Sequence, residues 1–158
     1  MVSIRVSGFI NAGGGGGPGG GAQEYTSGGG GGAGGEILLE APTISIDSAG
    51  FVAALGGGGG ASGTQFASAP GLPGGDAGKV AGTAGQRGNP PSESGGAGAG
   101  VSDGQIMEAQ PGLDHDPASG GGGGGAGRIW LRYRAATPPD SLTLSNVAPP
   151  AGLDPSLP

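Results

Sequence analysis

The sequence contains one cassette twice: a run of glycines that leads into a short stretch of alternating aliphatic residues. The first copy spans residues 28–40 and the second spans 121–132. A further alternating stretch follows each copy, at 43–47 and at 141–145. Internal repetition of this kind favours stacked supersecondary units over a catalytic domain built around one cleft.

The N-terminus is a further, partial copy of the same unit, so in chain order residues 28–40 belong to the second copy and residues 121–132 to the third. Val2, Ile4 and Val6 alternate with polar residues, a period of two that is typical of a half-buried strand. The order of strand, Gly-Phe pair and glycine run after Val6 is repeated after Ile46. We therefore predict an all-β fold, a short parallel β-solenoid-like or sandwich-like stack with long glycine-rich loops and essentially no helix. On this reading Ile37 and Ile129 share one ladder.

The complete unit is predicted to hold three strands followed by a glycine arm that begins at Gly56. The third copy is predicted to hold two strands, and its third strand decays into the prolines after Val147. Prolines and glycines lie at the borders of these stretches, where they do not interrupt a strand. The predicted strands are 36–41, 43–47 and 50–55 in the complete unit, and 128–134 and 141–145 in the third copy.

The repeats divide the chain into four parts. The glycine-rich insert between the second and third units is expected to be flexible, because glycine loses more freedom on folding than any other residue. The alternative is that its glycines pack as extended threads that exchange backbone hydrogen bonds. The predicted parts are 1–60 (units 1 and 2, with glycine arms 11–35 and 56–60), 61–119 (low-complexity insert), 120–146 (unit 3) and 147–158 (proline-rich tail).

Composition excludes several classes of function. The chain has 44 glycines, 14 prolines and no cysteine in 158 residues, with a net charge of −6. Disulfides and thiolate metal sites are therefore excluded, and six basic residues argue against a nucleic-acid partner. No stretch approaches the ~20 apolar residues of a membrane span, and no signal peptide is visible at the N-terminus.

The sequence predicts no catalytic, cofactor-binding or metal-binding residue, so we expect that the chain is not an enzyme. Asp114, His115 and Asp116 are the one crowded group of ligand-type side chains. In an extended segment the two aspartates point away from the histidine, and zinc normally takes three or four protein ligands. Flanking prolines and a glycine favour a solvated turn at this triplet.

Three residues of the last long strand are candidates for contact with a partner: Trp130, Tyr133 and Arg132. Alternation from Ile129 places Trp130 outward beside the arginines and Tyr133 on the other face. An exposed tryptophan can stack on a sugar or contact a protein. The favoured interpretation is that a neighbouring coil or chain covers Trp130, because a short strand with an open edge invites pairing.

The polyglycine-flanked string from Glu36 to Asp47, with its echo at 125–129, resembles glycine-rich repeat segments of large bacterial surface proteins, of the kind found in myxobacteria. The resemblance implies a β-solenoid at the cell surface or outside the cell. It favours a non-enzymatic structural repeat module that associates with itself or with adjacent repeats. The alternatives are an adhesin-like module that binds a glycan or a protein, and a truncated fragment with no independent activity.

Overall fold

A computed structural model describes residues 2–22, 25–63, 71–84, 95–102, 105–114, 118–134 and 146–157. These residues form β-strands joined by long extended segments, and no α-helix occurs among them. None of them forms a helix that is long and apolar enough to cross a bilayer. The strands are β1 (Ser3–Val6), β2 (Phe9–Asn11), β3 (Glu36–Glu40), β4 (Thr43–Ile46), β5 (Phe51–Ala53), β6 (Gly100–Ser102), β7 (Gln105–Met107), β8 (Arg128–Arg132), β9 (Val147–Ala148) and β10 (Gly152–Asp154).

Equivalent strands of the repeated cassette pair in parallel and in register. β1 pairs with β4, β5 lies between β2 and β9, and β8 lies between β3 and β10. Ile37 lies opposite Ile129 in the β3–β8 pair, so the predicted common ladder is confirmed. We call the strand set β1–β2 rung 1, the set β3–β4–β5 rung 2, and the set β8–β9 rung 3.

One hydrophobic core joins the three parallel sheets. Each sheet sends alternate side chains inward, as the period of two requires. Val6, Ile46, Val52 and Leu131 are all buried, and they belong to one cluster that draws on β1, β4, β5 and β8. The aliphatic side chains of the cassette are therefore the residues that hold the rungs together.

The core is less well covered at the end of the stack where rung 1 lies, because rung 1 supplies no strand that pairs with β3 among the described residues. Leu39 is half-buried, whereas its register partner Leu131 is 0% exposed. Ile4 is likewise half-buried, although its register partner Ile44 is buried. Rung 1 is thus an open end of the stack in the part of the chain that the structure describes.

The structure adds strands that the sequence analysis did not predict. Val147 and Ala148 form β9 and continue the β2–β5 sheet, so the third copy retains its third strand where decay was expected. β10, in the proline-rich tail, extends the sheet of β3 and β8. β6 and β7 form an antiparallel hairpin inside the insert. The strand predicted at 141–145 lies outside the described residues.

The glycine segments are extended threads whose backbones bond to one another every third residue. Gly14, Gly17 and Gly20 donate their N–H groups to the carbonyl oxygens of Leu55, Gly58 and Ala61. A spacing of three is the repeat of the polyproline II helix, which has about three residues per turn. The described stretches of the insert, including 71–77 and 95–99, take part in this bonding, as in the packed-thread alternative.

The segment 54–63, which we call the central thread, lies inside this bundle with every residue buried. From Gly56 onward its N–H groups donate in turn to three neighbouring threads, and three more neighbours donate to the carbonyl oxygens of the central thread. Successive residues therefore face different neighbours, as a threefold helix allows. The acceptor threads are 95–99, 26–32 and 71–75, and the donor residues come from 14–20, 121–127 and Gly82.

Glycine is required at many positions of the threads because the neighbouring backbone there lies too close for a side chain. A Cβ atom built on Gly56 or Gly124 would overlap a backbone carbonyl group of the neighbouring thread. Neither of these two glycines has a φ in the left-handed region. Close approach, and not unusual backbone conformation, is the reason for glycine at these positions.

The threads run alternately away from and back towards the strands. Gly17 bonds to Gly58 in a parallel arrangement, whereas Leu72 and Gly121 belong to returning threads that bond at the far end of the central thread. Leu72 and Leu113 lie at this far end and are exposed. The bundle is therefore an up-and-down arrangement that projects from the stacked strands.

Candidate binding face

The outward face of the β10–β8–β3 sheet carries an exposed apolar pair. Leu38 on β3 and Trp130 on β8 are register partners, and they are 58% and 43% exposed. Gly152 on β10 lies on the other side of Trp130 in the same row. The six-membered ring of Trp130 packs so closely on Gly152 that a Cβ at this position would overlap the ring. We call Leu38, Trp130 and Gly152 the tryptophan row.

A charged row lies beside the tryptophan row. Arg132 is in register with Glu40 on one side and Asp154 on the other. Its Nη1 donates to Glu40 Oε2 at 3.2 Å, and its Nε lies 3.4 Å from Asp154 Oδ2. The second contact is an ion pair without hydrogen-bond geometry, because Nε makes no hydrogen bond with the described residues. Arg132 thus bridges the carboxylates of its two neighbouring strands.

Asp154 holds its charge more strongly than a free aspartate. Hydrogen bonds from Ser156, first from its hydroxyl and then from its backbone N–H at 3.0 Å to Oδ1, lower the pKa of Asp154, and the charge of Arg132 adds to this. The carboxylate is exposed, so the effect is local to the end of β10. Asp154 therefore keeps its negative charge to a lower pH than a free aspartate does.

Of the three residues predicted to contact a partner, two lie on this face and the third packs against the core. Trp130 and Arg132 face outward on β8, in adjacent rows of one sheet. Tyr133 faces inward and packs against the hydrophobic core, while its backbone N–H donates to the Asp154 carbonyl oxygen at 2.9 Å. Tyr133 supports the face from below, and Trp130 and Arg132 form its surface.

Sequence reasoning missed the other members of the face. Leu38 alternates with the buried Ile37, so the period of two in β3 was a signal that could have identified it. Gly152 and Asp154 lie in a three-residue strand between prolines, and no pattern in the sequence marks that strand. The row neighbours of Trp130 therefore become visible only in the folded chain.

Other candidate chemistry is weak in the described part of the chain. Asp114 Oδ1 accepts a 2.6 Å hydrogen bond from the Ser119 hydroxyl, and His115 and Asp116 lie outside the described residues. No group of three or more metal-ligating side chains occurs among the residues that were described.

A shallow cavity of about 360 Å³ lies against β5 and β9, lined mainly by apolar residues such as Phe51, Val80 and Met107. The cation in its wall is Lys79, whose Nζ lies 5.6 Å from the centre of the Phe51 ring and 5.8 Å from that of Phe9. Lys79 is thus placed as a cation–π contact for the two rings, which themselves pack edge to face.

Comparisons with known proteins give no information on the function of this chain. No family model, no curated protein and no solved structure matches this chain. The function proposed for the chain therefore rests on the chemistry of the tryptophan row and the charged row.

Proposed function

We propose that the chain is a non-enzymatic binding module, adhesin-like, that contacts a glycan or protein surface through the tryptophan row. The observation that carries this proposal is the exposure of Trp130 beside Leu38 on a sheet face built from three strands. An indole ring held against a backbone offers a large contact area at little cost in conformational entropy. Tryptophan and arginine are also the residues that most often dominate binding energy at interfaces.

The scaffold supports this role by anchoring the strand that carries Trp130. The Trp130 ring packs on Gly152, Leu38 is its register partner on β3, and its chain neighbours Ile129 and Leu131 are buried. The charged row supplies one guanidinium and two carboxylates within reach of a ligand that lies across the ring. A preformed surface avoids the ordering cost that a mobile loop would bear on binding.

We further propose that the rungs wind as a short parallel β-solenoid. The proposal is supported by the order of strands along the chain, by the register of the three parallel sheets, and by the single core that they share. The resemblance to bacterial surface repeats is the basis for proposing a location at the cell surface or outside the cell.

The test uses the fact that Trp130 is the one tryptophan of the chain, so its fluorescence reports on this face alone. A glycan array and a panel of surface proteins are probed with the wild-type chain, with Trp130→Ala and with Leu113→Ala. Leu113 is exposed at the far end of the bundle and serves as the matched control. The proposal expects binding that is lost in Trp130→Ala, kept in Leu113→Ala, and accompanied by a change in tryptophan emission. Binding that survives Trp130→Ala would refute it.

The open end of the stack favours a second candidate, structural self-association. Ile4 and Ile10 on rung 1 are more exposed than their register partners Ile44 and Val52, so another repeat stacked on this end would bury apolar surface. Light scattering over a range of concentrations tests this candidate. Assembly that grows with concentration, without any ligand for the tryptophan row, would favour it over the binding module.

A further inference from the structure

The strand β3 has an outer edge with no partner strand among the described residues, since β8 is its one neighbour in the sheet. The direction of its backbone groups follows from two hydrogen bonds. Arg128 N–H donates to the Gly35 oxygen at 3.0 Å, and Ala41 N–H donates to the Arg132 oxygen at 3.1 Å. Because successive residues of a strand point their N–H and C=O groups to opposite edges, Ile37 and Leu39 also face β8.

The same alternation directs the backbone groups of Glu36, Leu38 and Glu40 towards the outer edge. No strand of the described residues pairs with these three residues from that side. An edge of unpaired N–H and C=O groups is a template for another strand. The half-buried Leu39 beneath it shows that the core is incomplete at the same place. An added strand would both satisfy the backbone and cover Leu39.

We propose that this edge is a docking site for an extended segment of a partner protein that carries basic residues at two positions four apart, with apolar residues between them. The template is on the other side of β3. There β8 places Arg128 opposite Glu36 and Arg132 opposite Glu40, with Ile129, Trp130 and Leu131 between them. A strand on the outer edge meets the same two glutamates. The proposal is independent of ligand binding by the tryptophan row.

Charge argues against a second copy of this chain as the occupant. Two β3 strands paired antiparallel about Leu38 would place Glu36 opposite Glu40. A second copy's β10, added in the register it has on β8, would place Asp154 beside Glu40. Like charges directly opposite one another destabilise a strand pair, whereas opposite charges stabilise it. The edge therefore selects a basic strand over its own acidic strands.

The probe is a fluorescein-labelled peptide, Gly-Arg-Ile-Trp-Leu-Arg-Tyr, with the sequence of residues 127–133. Its binding to the full chain is followed by fluorescence anisotropy, and backbone amide exchange locates the contact. The proposal expects saturable binding, with new protection of the Leu38 and Glu40 amides. A peptide with glutamate in place of both arginines is expected to bind at least about tenfold more weakly.

Two variants separate the backbone contact from the side-chain contact. Leu38→Pro removes the N–H that points to the outer edge and leaves the groups that bond to β8, so peptide binding should be lost. Leu38→Ala keeps that N–H and should bind the peptide. Protection of the Ile37 and Leu39 amides in Leu38→Pro checks that β3 still pairs with β8.

Several results would overturn the proposal. These are no saturable binding by the wild-type chain, equal binding of the arginine and glutamate peptides, and equal binding by Leu38→Pro and Leu38→Ala when β3 remains paired. Binding that leaves the Leu38 amide unprotected would also refute it. Protection of that amide in a dimer of the chain alone would assign the edge to a second copy.

Discussion

The glycine threads and the stacked strands both pair their buried backbone groups, but they use side chains in opposite ways. In the strand stack, aliphatic side chains such as Leu131 and Ile46 fill one core, and the backbone bonds follow. In the bundle, the central thread has backbones where a core would have side chains, and residues 56–60 are all glycine. The stack is therefore sensitive to atoms that are removed, and the bundle is sensitive to atoms that are added.

This difference also separates two periods of hydrogen bonding. A strand has two edges, so alternate residues bond to alternate neighbours and the pattern repeats every second residue. The central thread has neighbours all round, so successive residues bond to different threads and the pattern repeats every third residue. A buried backbone group must find a partner in either case. The bundle achieves this without a sheet.

The largest effect is expected from adding one methyl group to the bundle. Gly124→Ala places a Cβ on the carbonyl group of Gly32, where neither backbone can move without breaking its own bonds. We expect a loss of about 4 kcal/mol or more in the free energy of unfolding. Thermal or urea denaturation of the variant measures it.

The control is the next residue along the chain. A Cβ on Gly125 meets no atom within 4 Å. Gly125→Ala should therefore be neutral or stabilising by about 0.4–1 kcal/mol, because alanine has fewer unfolded conformations than glycine. Equal destabilisation by the two substitutions would show that close thread packing is not what excludes side chains.

Removing atoms from the stack should have the next largest effect. Leu131→Ala empties part of a fully buried site, and a loss of about 2–5 kcal/mol is expected. The register partner Leu39 is half-buried at the open end, so Leu39→Ala should cost clearly less. Denaturation of both variants under one condition makes the comparison. A larger effect at Leu39 would contradict an open edge of the core at β3.

Part of the strand stack could be predicted from the sequence. The register of Ile37 with Ile129 was predictable, because a repeated pattern of inward aliphatic residues allows one alignment of the strands. The position of Trp130 on the outer face followed from the same alternation. The pattern of inward side chains causes the strands of the cassette to pair, so the same pattern in the sequence was enough to predict that pairing.

The threads could not be placed in this way. A run of glycines has no side chains to set its phase or to distinguish one neighbour from another, so the sequence left flexibility and packing as alternatives for 61–119. Strands β9 and β10 were missed for a related reason. Each is two or three residues long beside prolines, and each exists because an existing sheet edge offers it partners.

A smaller effect on stability is expected at Gly152, where the Trp130 ring packs directly on the backbone of β10. Gly152→Ala introduces a methyl group under the indole ring, so the Trp130 side chain, which extends from β8, must move away from β10. We expect a red shift of tryptophan emission and easier quenching by acrylamide, with little change in the stability of the rest of the chain. Unchanged emission would contradict the packing of the ring on Gly152.

The smallest effect concerns pH at the same strand. The pKa of Asp154 is lowered in the folded chain, so its contribution to stability is present above the pKa of an unfolded aspartate, about 3.9. That contribution is lost as the pH falls through the lower folded pKa. Tryptophan emission followed from neutral to acidic pH should report a local loosening of β10 in this range, and Asp154→Asn should weaken the transition.

The most direct test of the bundle is amide hydrogen exchange along the central thread. Each residue from Gly56 to Ala61 donates its N–H to a neighbouring thread, so the account predicts an unbroken run of protected amides there. In β3, by contrast, the outward N–H of Leu38 should exchange faster than its neighbours Ile37 and Leu39. Rapid exchange throughout 56–61, or protection of every second amide as in an edge strand, would contradict a bundle of glycine threads.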